Sequence, residues 1–294
     1  MVYLKRIDFP GEAAEYDFVV HEKRSYIHTA YPFKLFPQKG LKKLSFDDIT
    51  MFYGGNGSGK STLINVLAQK MNADRYSAFN DAPLFDDYVR MCDAECFRVP
   101  EHCCVLSSDD VFDYMLNARS VNESIDDRRK ELLDDYVAVH RQARQDREIM
   151  RLNGMADYDR WNTTMEILSR KHSQSSYMNK RLARGADLHS NGESAMHYFV
   201  ERIEEDGLYF LDEPENSRSV ELQIQLAEFV AATARVTRSQ FVIATHSPIF
   251  LSMKNARITN LDEYPVSVCK WTELPNVRKS YDFFMEHREE FQSQ

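Results

Sequence analysis

Four of the ten glycines in this 294-residue chain fall within the six residues GGNGSG, and a lysine and a serine come directly after. Gly54, Gly59, Lys60 and Ser61 fit the spacing G-x-x-x-x-G-K-[ST] in full. The physical reason for such a loop is close approach. A phosphate chain fits inside it only where main-chain N–H groups point inward and no side chain blocks them. The run DITMFY before the loop reads as a strand, and Leu63, Val66, Leu67, Lys70 and Met71 recur at helical spacing after it. A helix beginning near Lys60 would aim its N-terminus at the same anion. Gly54, Gly55, Asn56, Gly57, Ser58, Gly59, Lys60, Ser61 and Thr62 are therefore the expected nucleotide-binding residues. Lys60 would reach the β and γ phosphates and the Ser61 hydroxyl would ligate Mg²⁺. The competing reading is an ordinary glycine turn; the flanking strand and helix count against it.

The rest of the chain supports a sheet around this loop. VYLKRI and DFVVHE read as N-terminal strands, and Pro32, Pro37 and Gly40 punctuate the stretch beyond them. CCVLSS, LYFL and FVIAT are short apolar runs that fit buried strands. GESAMHYFVERIEED carries Met196, Phe199, Val200 and Ile203 on one helical face, and the helix SVELQIQLAEFVAATARV carries Leu222, Leu226, Phe229 and Val230. RITNLDEYPVSVCKW reads as a hairpin and SYDFFMEHREEF as a terminal helix. Helices alternating with near-continuous apolar strands predict an α/β fold whose largely parallel sheet is covered on both faces. Residues 109–188 differ: they are charged, helix-favouring and poor in glycine and proline. They are expected to form a helical lobe inserted within a single 1–294 domain. No heptad is sustained long enough for a coiled coil.

Two further stretches carry chemistry. LYFLDEPE delivers Asp212 and Glu213 to a strand end, which in open parallel sheets is the ligand edge. Asp212 suits Mg²⁺, and Glu213 suits polarising an attacking water; the bland alternative is a pair of acids ending a strand. ATHSP puts His246 at the end of another apolar strand, where it could read a γ-phosphate or simply face solvent. In HSNGES, Ser190 and Glu193 form a capping box, while Asn191 and Gly192 suit a second anion contact at a helix start.

Net charge is −9, which excludes a chain that is cationic throughout. From 119 to 184 there are 14 Lys or Arg against 11 Asp or Glu, a mild basic excess that includes Arg128, Arg129, Lys130, Arg141, Arg144 and Arg147. A solvated helical face explains it as well as a polyanion does. No apolar run reaches the roughly 20 residues of a membrane span. MVYLKRIDFP lacks the apolar core of a signal peptide, so a cytoplasmic address is expected. Cys92, Cys96, Cys103 and Cys104 with His102 lack the register of a metal site, and buried free thiols are the better expectation.

In order, GGNGSGKST, SNGES, LYFLDEPE and ATHSP resemble the ABC-type ATPases, and among them soluble members of the RecF, SMC and OLD type, including compact bacterial AAA-family ATPases. The resemblance spans 48–70 and 189–251. It implies a P-loop NTPase fold, with Gly54 to Thr62 as the Walker A loop, Asp212 as the Walker B acid on Mg²⁺, Glu213 as general base and His246 as switch histidine. It also implies that Ser190, Asn191, Gly192 and Glu193 complete the ATP site of a second subunit, in a homodimer that sandwiches ATP. The expected glutamine after the strand into the lobe is missing. Ser107, Ser108, Asp109 and Asp110 stand there instead, with Asp109 or Ser108 as substitute metal and lobe sensor. Glu215, Asn216 and Ser217 resemble the soluble branch. Tyr26, Tyr31 and Phe33 are candidates to stack on adenine, or core aromatics. The implied function is ATP hydrolysis that switches a partner protein, with DNA as a candidate ligand by analogy. A transporter motor subunit and a slow nucleotide sensor paired with an effector are the alternatives.

Overall fold

The computed structural model describes residues 2–24, 29–79, 82–114, 116, 191–216 and 218–292. The chain divides into two compact units, residues 1–112 with 195–294, and residues 113–194. The lobe expected over 109–188, with its bases Arg128, Arg129, Lys130, Arg141, Arg144 and Arg147, lies mostly outside the described residues.

The first unit is built on a six-stranded sheet. In spatial order its strands are β5 (His102–Ser107), β6 (Gly207–Asp212), β7 (Gln240–Ala244), β3 (Ile49–Tyr53), β8 (Arg257–Asn260) and β9 (Ser267–Cys269). Neighbours run parallel throughout, except that β9 turns back antiparallel on β8 as the expected hairpin. Every residue of β3 and β7 is buried, as are the first five of β6. A strand covered on both faces has no solvent side, which is why these segments are continuous apolar runs instead of alternating ones.

Helix α2 (Lys60–Lys70) packs on β6 and β7 and buries Leu63, Ile64, Val66 and Leu67. Before β6 comes α4 (Asn191–Arg202), and after it α5 (Val220–Val236), which packs on β7 and buries Leu226 and Val230. Ser219 caps α5 by accepting from the Leu222 N–H. On α4, Tyr198 and Phe199 are buried whereas Val200 is half exposed. The inward face is therefore turned from the one expected, with Tyr198 in place of Val200. Arg202 accounts for part of this, since its guanidinium lies over the rings of both Tyr198 and Tyr76. The short α6 (Pro248–Leu251) comes after β7, and α7 (Pro275–Glu286) and α8 (Arg288–Gln292) end the described chain.

A smaller antiparallel sheet orders β2 (Lys43–Ser45), β1 (Leu4–Asp8) and β4 (Asp93–Cys96), beside α3 (Phe85–Met91). The expected N-terminal strand at VYLKRI is present, but DFVVHE is not a strand. It lies mostly in helix α1 (Glu12–His21). Tertiary contacts decide against the β preference of its two valines. Glu15, Phe18 and Val19 share one helical face: Phe18 stacks on Phe33 at 5.1 Å, and Glu15 Oε2 accepts from the Lys34 N–H.

Gln240, fully buried at the start of β7, ties the two sheets together. Its Oε1 accepts from the N–H groups of Tyr3 (2.8 Å) and Leu4 (2.9 Å). Its Nε2 donates to the carbonyls of Leu4 (2.9 Å) and Asp47 (3.1 Å). All four hydrogen-bonding positions of the amide are used, which is what permits a polar side chain there.

Candidate functional site

The parallel order β6–β7–β3 brings three chain segments to one edge. Asp212 on β6 and Phe52 on β3 both pair in register with Ala244 on β7. The glycine loop after β3, the acids after β6 and His246 after β7 therefore leave the sheet side by side, at its C-terminal end.

The loop is tight. A Cβ on Gly54 would lie 2.4 Å from Ser58 Oγ, a distance no side chain tolerates. Gly59 has φ +91°, a left-handed conformation that lets α2 start at Lys60. The N–H groups of the first helical turn have no acceptor within the helix, so they are available to an anion. Lys60 is 4% exposed. Its Nζ donates to the carbonyls of Gly54 (2.8 Å) and Gly55 (3.3 Å) and lies 3.4 Å from Glu213 Oε1.

Ser61 Oγ donates to Asp212 Oδ1 at 3.2 Å, joining the helix start to the end of β6. Burial pushes the Asp212 carboxyl up to about 6, with the Glu213 and Glu215 charges adding and the Ser61 hydrogen bond and Lys60 opposing. Such a carboxylate gains from a cation beside it. The donor set fits Mg²⁺: hard oxygens from a hydroxyl and a carboxylate, adjacent and short of positive charge. Ser61 and Asp212 would hold the ion.

Glu213 adopts φ +48°, a left-handed backbone uncommon outside glycine. Its N–H donates to the Ala244 carbonyl (2.9 Å) and its Oε2 accepts from Asn216 Nδ2 (2.8 Å). Strain of this kind persists where surrounding bonds over-determine it. Here it directs the carboxylate toward Lys60 and to within 4.0 Å of His246 Nδ1.

The sequence marks Glu215 by its resemblance to the soluble branch but gives it no role; in the structure it is 5% exposed. Its Oε1 accepts from Thr245 Oγ1 (2.8 Å), the His246 N–H (2.8 Å) and the Ser247 N–H (3.2 Å), and lies 3.3 Å from His246 Nδ1. One carboxylate thus clamps the loop carrying Glu213 to the loop carrying His246. Next to it, Arg218 donates to the carbonyl of Pro214, lies over the Phe199 ring at 5.1 Å, and is pushed down to about 10 by burial, against the opposing charge of Glu215. The third acid of DEPE is the available signal, but its partners lie about thirty residues on.

Asp262 is silent in the sequence. Its Oδ2 accepts from the Gly55 N–H at 2.8 Å and so braces the start of the glycine loop from the turn after β8. At the β5 end, Asp109 is exposed while Asp110 is buried. Asp110 Oδ2 accepts from both the N–H and the Oγ of Ser107 (2.8 Å each), and Ser107 pairs with Asp212 across the sheet. Arg75 donates to Asn65 Oδ1 (2.7 Å), and burial lowers its affinity for its proton while Asp110 and Asp212 oppose.

Of the aromatic candidates, Phe33 is in the core against Phe18 and Tyr88. Tyr31 donates its hydroxyl to Thr62 Oγ1 at 2.8 Å, beside the loop, and Tyr26 lies outside the described residues. Ser190 also lies outside them; Asn191, Gly192 and Glu193 form the first turn of α4. The cysteines are free, but only Cys92 is buried as expected; Cys96, on the edge strand β4, is exposed, and Cys103, Cys104 and Cys269 are half-buried. Among the described residues no group of three or more His, Cys, Asp or Glu is placed to hold a metal. Burial pushes the Cys103 and Cys104 thiols up to about 12, so they are unreactive. No helix among the described residues is long and apolar enough to cross a membrane.

The family profile described as "AAA domain, putative AbiEii toxin, Type IV TA system" matches residues 106–252, half of the chain, from the end of β5 past His246. No curated protein matches. Among solved structures, the chain is similar to the Smc head domain of Pyrococcus furiosus bound to the C-terminal domain of ScpA. Identity is 12%, over 98% of this chain and 100% of that one, with a TM-score of 0.41. The SMC head domain from Thermotoga maritima is 14% identical over 91% of this chain and 98% of that one, with a TM-score of 0.40.

Proposed function

The chain belongs to this AAA-domain family of ATPases, and from that premise we propose that it binds ATP with Mg²⁺ in the loop from Gly54 to Thr62 and hydrolyses it. One observation carries the reading: Lys60, Ser61, Asp212, Glu213 and His246 meet at one sheet edge, from three segments far apart in sequence. Lys60 would leave the Gly54 carbonyl for the phosphates. Bound Mg²⁺ would supply positive charge to the phosphate oxygens. Glu213, aimed into the site by its strained backbone, would take a proton from the attacking water, and His246 would orient the γ-phosphate. Catalysis here is mainly positioning and charge stabilisation.

Ser190, Asn191, Gly192 and Glu193 would complete the ATP site of a second copy, so that ATP closes a homodimer. The closed dimer would act as a switch on a partner protein or DNA. The test is phosphate release from the purified chain. Glu213→Gln should keep ATP binding and lose roughly 10²–10⁴-fold in hydrolysis, and Lys60→Ala should weaken binding itself. Full turnover by the first variant, or unchanged affinity in the second, removes the assignment.

A further inference from the structure

Three residues beyond Glu213, Asn216 turns its side chain back on the acid. Its Nδ2 donates to Glu213 Oε2 at 2.8 Å. The reversed amide would set two acceptors face to face, so the nitrogen is the atom that meets the carboxylate. The other oxygen, Oε1, lies 3.4 Å from Lys60 Nζ and 4.0 Å from His246 Nδ1. These are charge contacts longer than a good hydrogen bond. Among the described residues, the close hydrogen bond to the Glu213 carboxylate is therefore the one from Asn216.

Asn216 is itself held. Its N–H donates to the Glu213 carbonyl (3.1 Å) and closes the turn. Arg218 Nη1 donates to the carbonyls of Pro214 and Asn216, and the guanidinium lies over the Phe199 ring. Arg218 thereby anchors the turn to α4, which carries Phe199.

The two carboxylate oxygens thus face different partners. The last torsion of a glutamate side chain is broad, so a carboxylate without a fixed partner samples many orientations. In the proposed reaction Lys60 leaves for the phosphates, which takes the nearest charge away from Oε1. Asn216 has no such competing call and stays on Oε2. We propose that Asn216 is a positioning residue: by occupying Oε2 it keeps the Glu213 carboxylate in one orientation, with Oε1 as the oxygen that takes the proton from water. This role rests on the reading of Glu213 as the general base.

Phosphate release, ATP affinity and thermal unfolding of the purified full chain test it. Asn216→Ala should lower kcat roughly 10–100-fold and leave KM, ATP affinity and Tm close to wild type. Asn216→Asp keeps the shape without the donor and should lose at least as much. In a Glu213→Gln background, Asn216→Ala should change the remaining rate less than about twofold, because residues that act as a unit are not additive. A wild-type or faster kcat in Asn216→Ala overturns the proposal. So does an Asn216→Asp chain as active as wild type, or an undiminished further loss in the Glu213→Gln background. Variants that melt early or no longer bind ATP make Asn216 a scaffold residue and overturn it as well. A wild-type chain that releases no phosphate removes the ATPase reading and this role with it, whereas any of the other failures beside normal wild-type turnover removes this role alone.

Discussion

Glu215 offers the sharpest test of how the site is held. Replacing it with alanine removes the acceptor for Thr245 Oγ1, the His246 N–H and the Ser247 N–H. The Ser247 N–H keeps a second acceptor, Thr245 Oγ1 at 3.0 Å. That leaves one backbone donor and one hydroxyl stranded where the native residue is 5% exposed. A stranded buried donor costs about 1–3 kcal/mol, and loss of the buried carboxylate offsets part of this. The net expectation is a loss of about 2–3 kcal/mol. In a chain of this size that lowers Tm by roughly 3–5 °C. Glu215→Gln keeps an acceptor oxygen in the same place and should recover most of the loss. Thermal unfolding followed by circular dichroism reads both. A Tm for Glu215→Ala within about 1 °C of wild type refutes the clamp, and a glutamine variant as damaged as the alanine one shows that charge, not the acceptor, holds the loops.

Asp212 gives a pH dependence of defined sign. Its carboxyl is raised from 3.8 to about 6, so the folded chain holds that proton more tightly than the unfolded one. Without metal the penalty is full above pH 6 and relieved as pH falls toward 4. Asp212→Asn should therefore raise Tm at pH 7.5 in the absence of Mg²⁺ by a few degrees while removing Mg²⁺-dependent nucleotide binding; a lower Tm contradicts the burial argument. Gln240→Ala strands the Tyr3 and Leu4 N–H groups and two carbonyls. It should cost about 3–5 kcal/mol and speed amide exchange in β1, and native-like protection there would show that the two sheets hold together without it.

The parts of the fold legible in the sequence are those whose cause is local. β6 and β7 show as unbroken apolar runs because both faces are covered, and the glycine loop shows because only glycine fits at positions such as Gly54. Segment α1 reads as a strand because two adjacent valines carry a β preference, while the contact that decides the matter, Phe18 on Phe33, is made after the chain turns back. The roles of Glu215, Asp262 and Gln240 are invisible for the same reason. Each is an ordinary polar residue in sequence, given its role by partners 30, 207 and 236 residues away. Val200 and Tyr198 exchange places because the helical period fixes a face only to within one residue, and arginine–aromatic packing settles the remainder.

The strand beneath the glycine loop has both its neighbours late in the chain. β3 ends at Tyr53, yet its flanking strands begin only at Gln240 and Arg257. On the ribosome this strand therefore emerges early and waits with two bare edges, and its loop waits with it. If the loop binds nucleotide as proposed, a chain cut before β7 should lack both neighbours that hold β3 in place and should bind it poorly.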